Sequence, residues 1–183
     1  MGKLYDAIDG RVKEFVEAQP VFFVATAPAD GRVNVSPKGM RGTFAVLGDR
    51  RVAYLDYTGS GIETIAHLRD DGRITVMFCA FAGPPKIVRL YGRGEPVLPE
   101  DPRFPDLRAA FSGAELSDHA VRSIVVVEVD RISDSCGFAV PLLDYAGERP
   151  LLTEHNGRKS DDELIAYRKL KNTASIDGLP GLP

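Results

Sequence analysis

Short β-like runs bounded by turn residues dominate the hydrophobic pattern of this chain. Val21 to Ala27 (VFFVATA), Thr43 to Leu47, Val52 to Asp56, Arg73 to Phe81, Lys86 to Val97 and Ile124 to Ile132 (IVVVEVDRI) are predicted strands. Ala29-Asp30-Gly31 is a turn signal after which Arg32 to Ser36 returns as a further strand. Pro37, which lacks an N–H, is expected to end that strand or place it at an edge. Gly48-Asp49-Arg50 joins another strand pair, and Gly83-Pro84-Pro85 breaks the run before Lys86. Gly92 and Gly94 inside the longest strand predict a bulge or a barrel corner.

Helical spacing is confined to a few places. Leu4, Ile8, Val12 and Phe15 recur on one face and Pro20 closes the segment, which predicts an N-terminal helix within residues 1–20. Ser60 and Glu63 have the S-x-x-E spacing of a capping box, with Gly72 as the stop, so a helix is expected between them. The same spacing recurs at Ser160 and Glu163 and predicts a C-terminal helix over residues 160–172. Leu98 to Pro105 reads as a loop, Asp106 to Phe111 and Ser117 to Arg122 as short helices, and residues 173–183 as an irregular tail. Leu179 and Leu182 suggest that this tail docks on the barrel or across a dimer. Strands joined mainly by hairpins imply a mainly β fold, an antiparallel β-barrel with few peripheral helices, as one domain over residues 1–183. A sheet of this size leaves edges, which closure or dimerisation removes.

Composition narrows the function classes. The 183 residues are 44% hydrophobic and 27% charged, with a net charge of -3, so no general basic field favours nucleic acid. No apolar run approaches the ~18 residues of a membrane span, and Asp6 and Asp9 stand where a basic apolar leader would; both point to a cytoplasmic protein without membrane partners. Cys79 lies in an apolar strand and reads as a core residue, while Cys136 sits in a turn without a resolving partner or activating base. His67, His119 and His155 are scattered, so no metal site is expected; His67 is expected at the surface or the core edge.

The stretch from Tyr54 to Phe81 carries the most chemistry. A Gly- and hydroxyl-rich turn opens a helix, whose first four N–H groups lack internal partners and whose dipole favours an anion. Residues Thr58 to Thr64 are therefore the first candidate for a phosphate site. The competing reading is structural: a capping box serves any helix, and a Glu63 carboxylate folded over the helix start would repel a phosphate.

Four segments, NVSPKG (Asn34 to Gly39), YLDYTGSGIETIAHL (Tyr54 to Leu68), FCAFAGPPKIVRLYGRG (Phe78 to Gly94) and DSCGFAVPLLDY (Asp134 to Tyr145), together with the tail ASIDGLPGL, resemble the pyridoxamine 5'-phosphate oxidase-like family of FMN-binding split-barrel proteins. The resemblance runs from about Val21 to the end of the chain. It implies a split barrel, a homodimer, and FMN held between the subunits. It places Lys38 at the phosphate or ring, Asp56, Tyr57 and Thr58 along the ring or ribityl chain, and Ser60, Gly61 and Thr64 near the phosphate. The partner subunit would contribute from around Arg89 and Tyr91, or from the turn at Cys136, Gly137 and Phe138. Lys38, Arg69 or Arg73 would supply cationic charge that the turn lacks.

The oxidase itself ends in a substrate motif containing Trp and Arg-Leu-x-Pro. This chain has no Trp and ends in SIDGLPGLP, so the vitamin B6 substrate does not carry over. No catalytic acid or base is assigned. The expected function is an FMN-dependent oxidoreductase acting on an unidentified small molecule. The rivals are a non-catalytic flavin-binding sensor or carrier, and a relative using a deazaflavin; haem is weaker, because no His is placed as an axial ligand.

Overall fold

The computed structural model describes residues 2–111 and 118–183. One antiparallel sheet forms the body of the protein. Its strands are β1 (Leu4–Tyr5), β2 (Val21–Thr26), β3 (Asn34–Gly39), β4 (Phe44–Gly48), β5 (Arg51–Tyr57), β6 (Arg73–Cys79), β7 (Ile87–Val97) and β8 (Val121–Ser135). The order across the sheet is β3-β2-β6-β7-β8-β5-β4, with β1 paired to β8. The sheet curls into a half-barrel whose path remains open, so β3 and β4 are its two edges. Pro37 lies within β3, opposite Phe23, which an edge strand tolerates.

Alternation decides which face each strand buries. Phe22, Val24, Ile74, Val76, Phe78, Val88 and Leu90 point into the curl, where Val12 and Val16 of helix α1 (Gly10–Ala18) join them. A second cluster, including Leu55, Val97, Ile124 and Val126, packs on the other side. The continuous apolar run of β8 follows from this arrangement: Val125 and Val127 serve the first cluster, Ile124 and Val126 the second. Rings of Phe22, Phe44, Tyr54 and Phe78 meet at centroid distances of 4.9–5.6 Å, and Phe44 on one edge strand thereby touches Phe22 beside the other.

Several local expectations change in the folded chain. The N-terminal helix is limited to Gly10–Ala18, capped by Asp9, whose carboxylate accepts from the Val12 N–H at 2.9 Å. Leu4 instead pairs with Ser133 as part of β1, because β8 offers its backbone a long-range partner that helical spacing cannot anticipate. The bulge at Gly92 forms: the register against β8 shifts between Tyr91 and Gly92, and a Cβ there would collide with the Glu128 carbonyl. The short helix α3 spans Phe104–Arg108, and Asp118–Ala120 forms a single 3-10 turn; Ser117, where that second short helix was expected to begin, lies outside the described residues. Helix α4 (Leu151–Gly157) has no counterpart in the pattern, and α5 (Asp161–Lys171) follows the second capping box. Among the described residues no helix is long and apolar enough to cross a membrane.

Candidate functional site

The cleft opens between β3 and the end of β5. Its volume is about 800 Å³, within the range of cofactor pockets. One wall is the inner face of β3. Lys38, Ser36 and Asn34 sit opposite the inward-pointing Phe22, Val24 and Thr26, so they continue the barrel's inner face beyond its last apolar column. This polar ladder is bonded across the opening: Asn34 Nδ2 donates to Thr64 Oγ1 at 3.4 Å, and Lys38 Nζ donates to Asp56 Oδ1 at 3.1 Å. Leu55 and Tyr57 of β5 form the floor with Arg122, and the far rim is an extended strap that includes Tyr145, Glu148 and Arg149. The strap is tied down by its own contacts. Tyr145 Oη and the Arg41 N–H both donate to Glu148 Oε1, at 2.7 and 3.3 Å, and the Arg41 guanidinium lies 5.0 Å from the Tyr145 ring centroid.

A buried ionic network underlies the cleft. Asp56 is fully buried and Arg122 nearly so; Arg122 Nε donates to Asp56 Oδ2 at 2.7 Å, and Ser123 Oγ donates to the same oxygen at 3.3 Å. Burial alone would raise the Asp56 pKa, but Lys38 and then Arg122 outweigh it and hold the carboxyl well below the usual carboxylate range. Asp56 is thus an anchor within the wall, with its carboxylate committed to protein partners. Thr58 is also buried, and its hydroxyl accepts from Arg168 Nε at 2.9 Å.

The turn before helix α2 (Glu63–Asp70) departs from the expected capping box. The N-cap is Ile62, with no side-chain cap, and Glu63 is the first helical residue. Glu63 Oε1 accepts instead from the Ile176 N–H of the C-terminal tail at 3.3 Å. Among the described residues, no backbone N–H from Gly59 to Ile65 donates a hydrogen bond. Gly59, Gly61, Glu63 and Thr64 line the cleft, so this row of amides borders it. The Gly72 stop forms as expected, with φ +83° and its N–H on the His67 carbonyl.

Of the sequence-derived residues, Lys38, Tyr57, Gly61 and Thr64 line the cleft directly. Asp56 and Thr58 stand behind its wall, and Ser60 is exposed on the turn. Arg89 and Tyr91 lie elsewhere, on the outer face of β7, where Arg89 Nη1 donates to Ser135 Oγ at 3.1 Å. Arg69 and Arg73 are turned to other partners, the Gly181 carbonyl and Asp71. His67 is a correction: it is buried at 1% exposure, with Nδ1 3.1 Å from Thr26 Oγ1, because the whole inner face of α2 packs on the barrel. Arg122, Asn172 and the strap were not singled out. An arginine opening the apolar run of β8 is the available signal for Arg122, and Tyr145 of the strap closes the motif DSCGFAVPLLDY; Asn172, Glu148 and Arg149 carry none.

The comparisons agree with this architecture. The family model described as "Pyridoxamine 5'-phosphate oxidase" matches residues 8–136. A curated relative from Aspergillus flavus, "Pyridoxamine 5'-phosphate oxidase family protein ustO", is 39% identical over 193 residues, covering 97% of this chain and 77% of that one. Among solved structures, Group A Streptococcus HupZ superposes with a TM-score of 0.56 at 21% identity, covering 68% of this chain and 91% of the other. An FMN-binding protein from Syntrophomonas wolfei gives 0.53 at 15% identity, covering 72% and 85%. HutZ of Vibrio cholerae, titled a haem storage protein, gives 0.51 at 14% identity, covering 72% and 97%. The structural likenesses support the half-barrel fold, and the sequence matches carry the conclusion: this chain belongs to the pyridoxamine 5'-phosphate oxidase family.

Proposed function

We propose that this protein is a homodimeric FMN-binding oxidoreductase that acts on a small molecule. The observation that carries the reading is the cleft, in which unpartnered amides from Gly59 to Ile65 stand at one end and apolar walls at the other. Amides at a helix start suit a phosphate, and Val21, Pro37, Leu55 and the Tyr57 ring suit the flat apolar face of a flavin. Lys38 has two N–H donors beyond the one given to Asp56, and these are available to an anion or a ring carbonyl. When bound, the flavin supplies the electron transfer; the chain orients it, shields it from water and holds the Lys38 side chain beside it through Asp56. Flavin-binding proteins among the structural relatives support the choice of cofactor. Haem storage is named for one of them, but among the described residues no His or Cys lines this cleft.

The dimer is supported by an inverted pattern on β3. Its inner side chains are polar, while Val35 on its outer side and Val33 just before it are 60% and 70% exposed. Phe23, Met77 and Arg89 are in register in one row, and Ala25, Thr75 and Tyr91 in the next, so Arg89 and Tyr91 share that outer face. A second copy seated there would bury the valines and carry its own Arg89 and Tyr91 toward the cleft edge.

The tests are direct. The purified protein should show a flavin spectrum or acquire one on adding FMN, and a colourless protein that takes up none would refute the cofactor. Light scattering should give twice the chain mass, and Val35→Asp should yield monomer with weakened flavin binding. Monomer in the unaltered protein would remove the dimer from the proposal.

A further inference from the structure

The turn between β5 and α2 has its backbone groups sorted by polarity, and the C-terminal region does the sorting. The Thr58 carbonyl accepts from Asn156 Nδ2 at 3.1 Å. The Gly59 carbonyl accepts from Asn172 Nδ2 at 3.0 Å and Arg122 Nη1 at 3.2 Å, and the Ser60 carbonyl accepts from Asn172 Nδ2 at 3.4 Å. Three successive carbonyls are therefore held by buried donors, while the amides that follow donate to nothing among the described residues.

Asn172 is the centre of this arrangement. It is fully buried, and both hydrogens of its side-chain amide are spent on the turn. Its Oδ1 accepts from Arg122 Nη1 at 3.1 Å, which joins the turn to the Asp56 network. Its own backbone is fixed by the Arg168 carbonyl and the Leu182 N–H.

The tail adds a second element. Glu63 stands at the start of α2, where its carboxylate would repel an anion. Its Oε2 lies beside Gly61, while its Oε1 accepts from the Ile176 N–H, which offsets part of that charge. Ile176 is the second residue of a turn closed by the Gly178 N–H on the Ser175 carbonyl at 3.0 Å.

We propose that Asn172 and Ile176 are positioning residues for the phosphate of the cofactor. Asn172 holds the carbonyls of the turn from behind, and the Ile176 N–H offsets the charge of the Glu63 carboxylate beside the amide row. The proposal rests on the FMN reading above. It assigns the C-terminal helix and tail a role in cofactor selectivity.

FMN and riboflavin differ only by the phosphate, so their affinities measured by flavin fluorescence separate phosphate recognition from ring binding. The unaltered chain should prefer FMN. Asn172→Ala should reduce that preference about tenfold, the scale of one hydrogen bond to a charged group, with riboflavin affinity unchanged. Ile176→Pro removes the tail N–H at a turn position that accepts proline. It should lower the preference in the same way, and adding Glu63→Gln should restore it, because the neutral amide no longer repels phosphate. A merely structural role would weaken both flavins together and would not respond to Glu63→Gln. If Asn172→Ala fails to fold, the Ile176→Pro pair decides. An unchanged FMN preference in folded variants, or a parallel loss of riboflavin, overturns the proposal. An unaltered chain that binds both flavins equally overturns the phosphate placement itself.

Discussion

The chain carries the same helix-start signature twice, and only one copy works as such. At residues 160–163 the Ser160 hydroxyl accepts from the Glu163 N–H at 3.3 Å, and Glu163 Oε2 accepts from the Ser160 N–H at 2.8 Å. That backbone bond holds the Glu163 carboxyl below its ordinary pKa. At residues 60–63 neither bond forms, and the helix begins two residues later relative to its serine. The difference lies in the surroundings. The second box is exposed and has no competitor for its groups, whereas the first is gripped by Asn172 and Ile176 from more than a hundred residues away. A local cap is worth about 1 kcal/mol, an amount that a few tertiary hydrogen bonds can override. The turn without a cap is also the one that borders the cleft, where unused amides are an asset.

The contrast can be broken most severely at its foundation. Asp56→Asn leaves Arg122 buried beside a neutral partner and loosens the Gly59 carbonyl; urea unfolding should show a loss of about 3–5 kcal/mol. The same group sets an acid response. Because the folded Asp56 pKa lies below the unfolded value of about 3.9, its stabilisation is complete above that value and disappears as the pH falls toward the folded pKa. Unfolding followed by circular dichroism should therefore be steeper in acid for the unaltered chain than for Asp56→Asn.

A smaller effect is expected where the tail meets the uncapped turn. A Cβ at Gly181 would collide with the Asn172 carbonyl and lie 2.7 Å from Ile62 Cγ1. Gly181→Ala should cost about 1–3 kcal/mol by thermal or chemical denaturation. The two serines give the finest comparison. Ser160→Ala should destabilise by about 1 kcal/mol, and Ser60→Ala should stay within about 0.5 kcal/mol. Equal losses at the two serines would mean that the first box does cap α2 in solution.

Much of the strand pattern was legible because alternation and turn residues act over a few positions. Gly92 shows how far that reaches: a glycine inside a strand marked the bulge before any partner strand was known. The site was legible in part. Lys38, Tyr57, Gly61 and Thr64 were found through motifs, and all four line the cleft. His67 was placed too near the surface, since one polar residue on a short helix gives no sign that Thr26 waits to bond it inside. Leu4 was placed in a helix because its spacing fits, and spacing cannot sense a strand at Ser133.

The sequence by itself determined the antiparallel class, the positions of the turns, the second capping box and the Gly- and hydroxyl-rich stretch that borders the cleft. These depend on side-chain periodicity, backbone torsion preferences and contacts between near neighbours. Only the tertiary structure decided that Asp56 is an anchor shared by Lys38 and Arg122, that Asn172 holds the turn from behind, and that Glu63 is drawn to the tail. Each of those contacts spans at least 18 residues of chain, and its energy appears only once the curled sheet has brought the two edges and the C-terminus together.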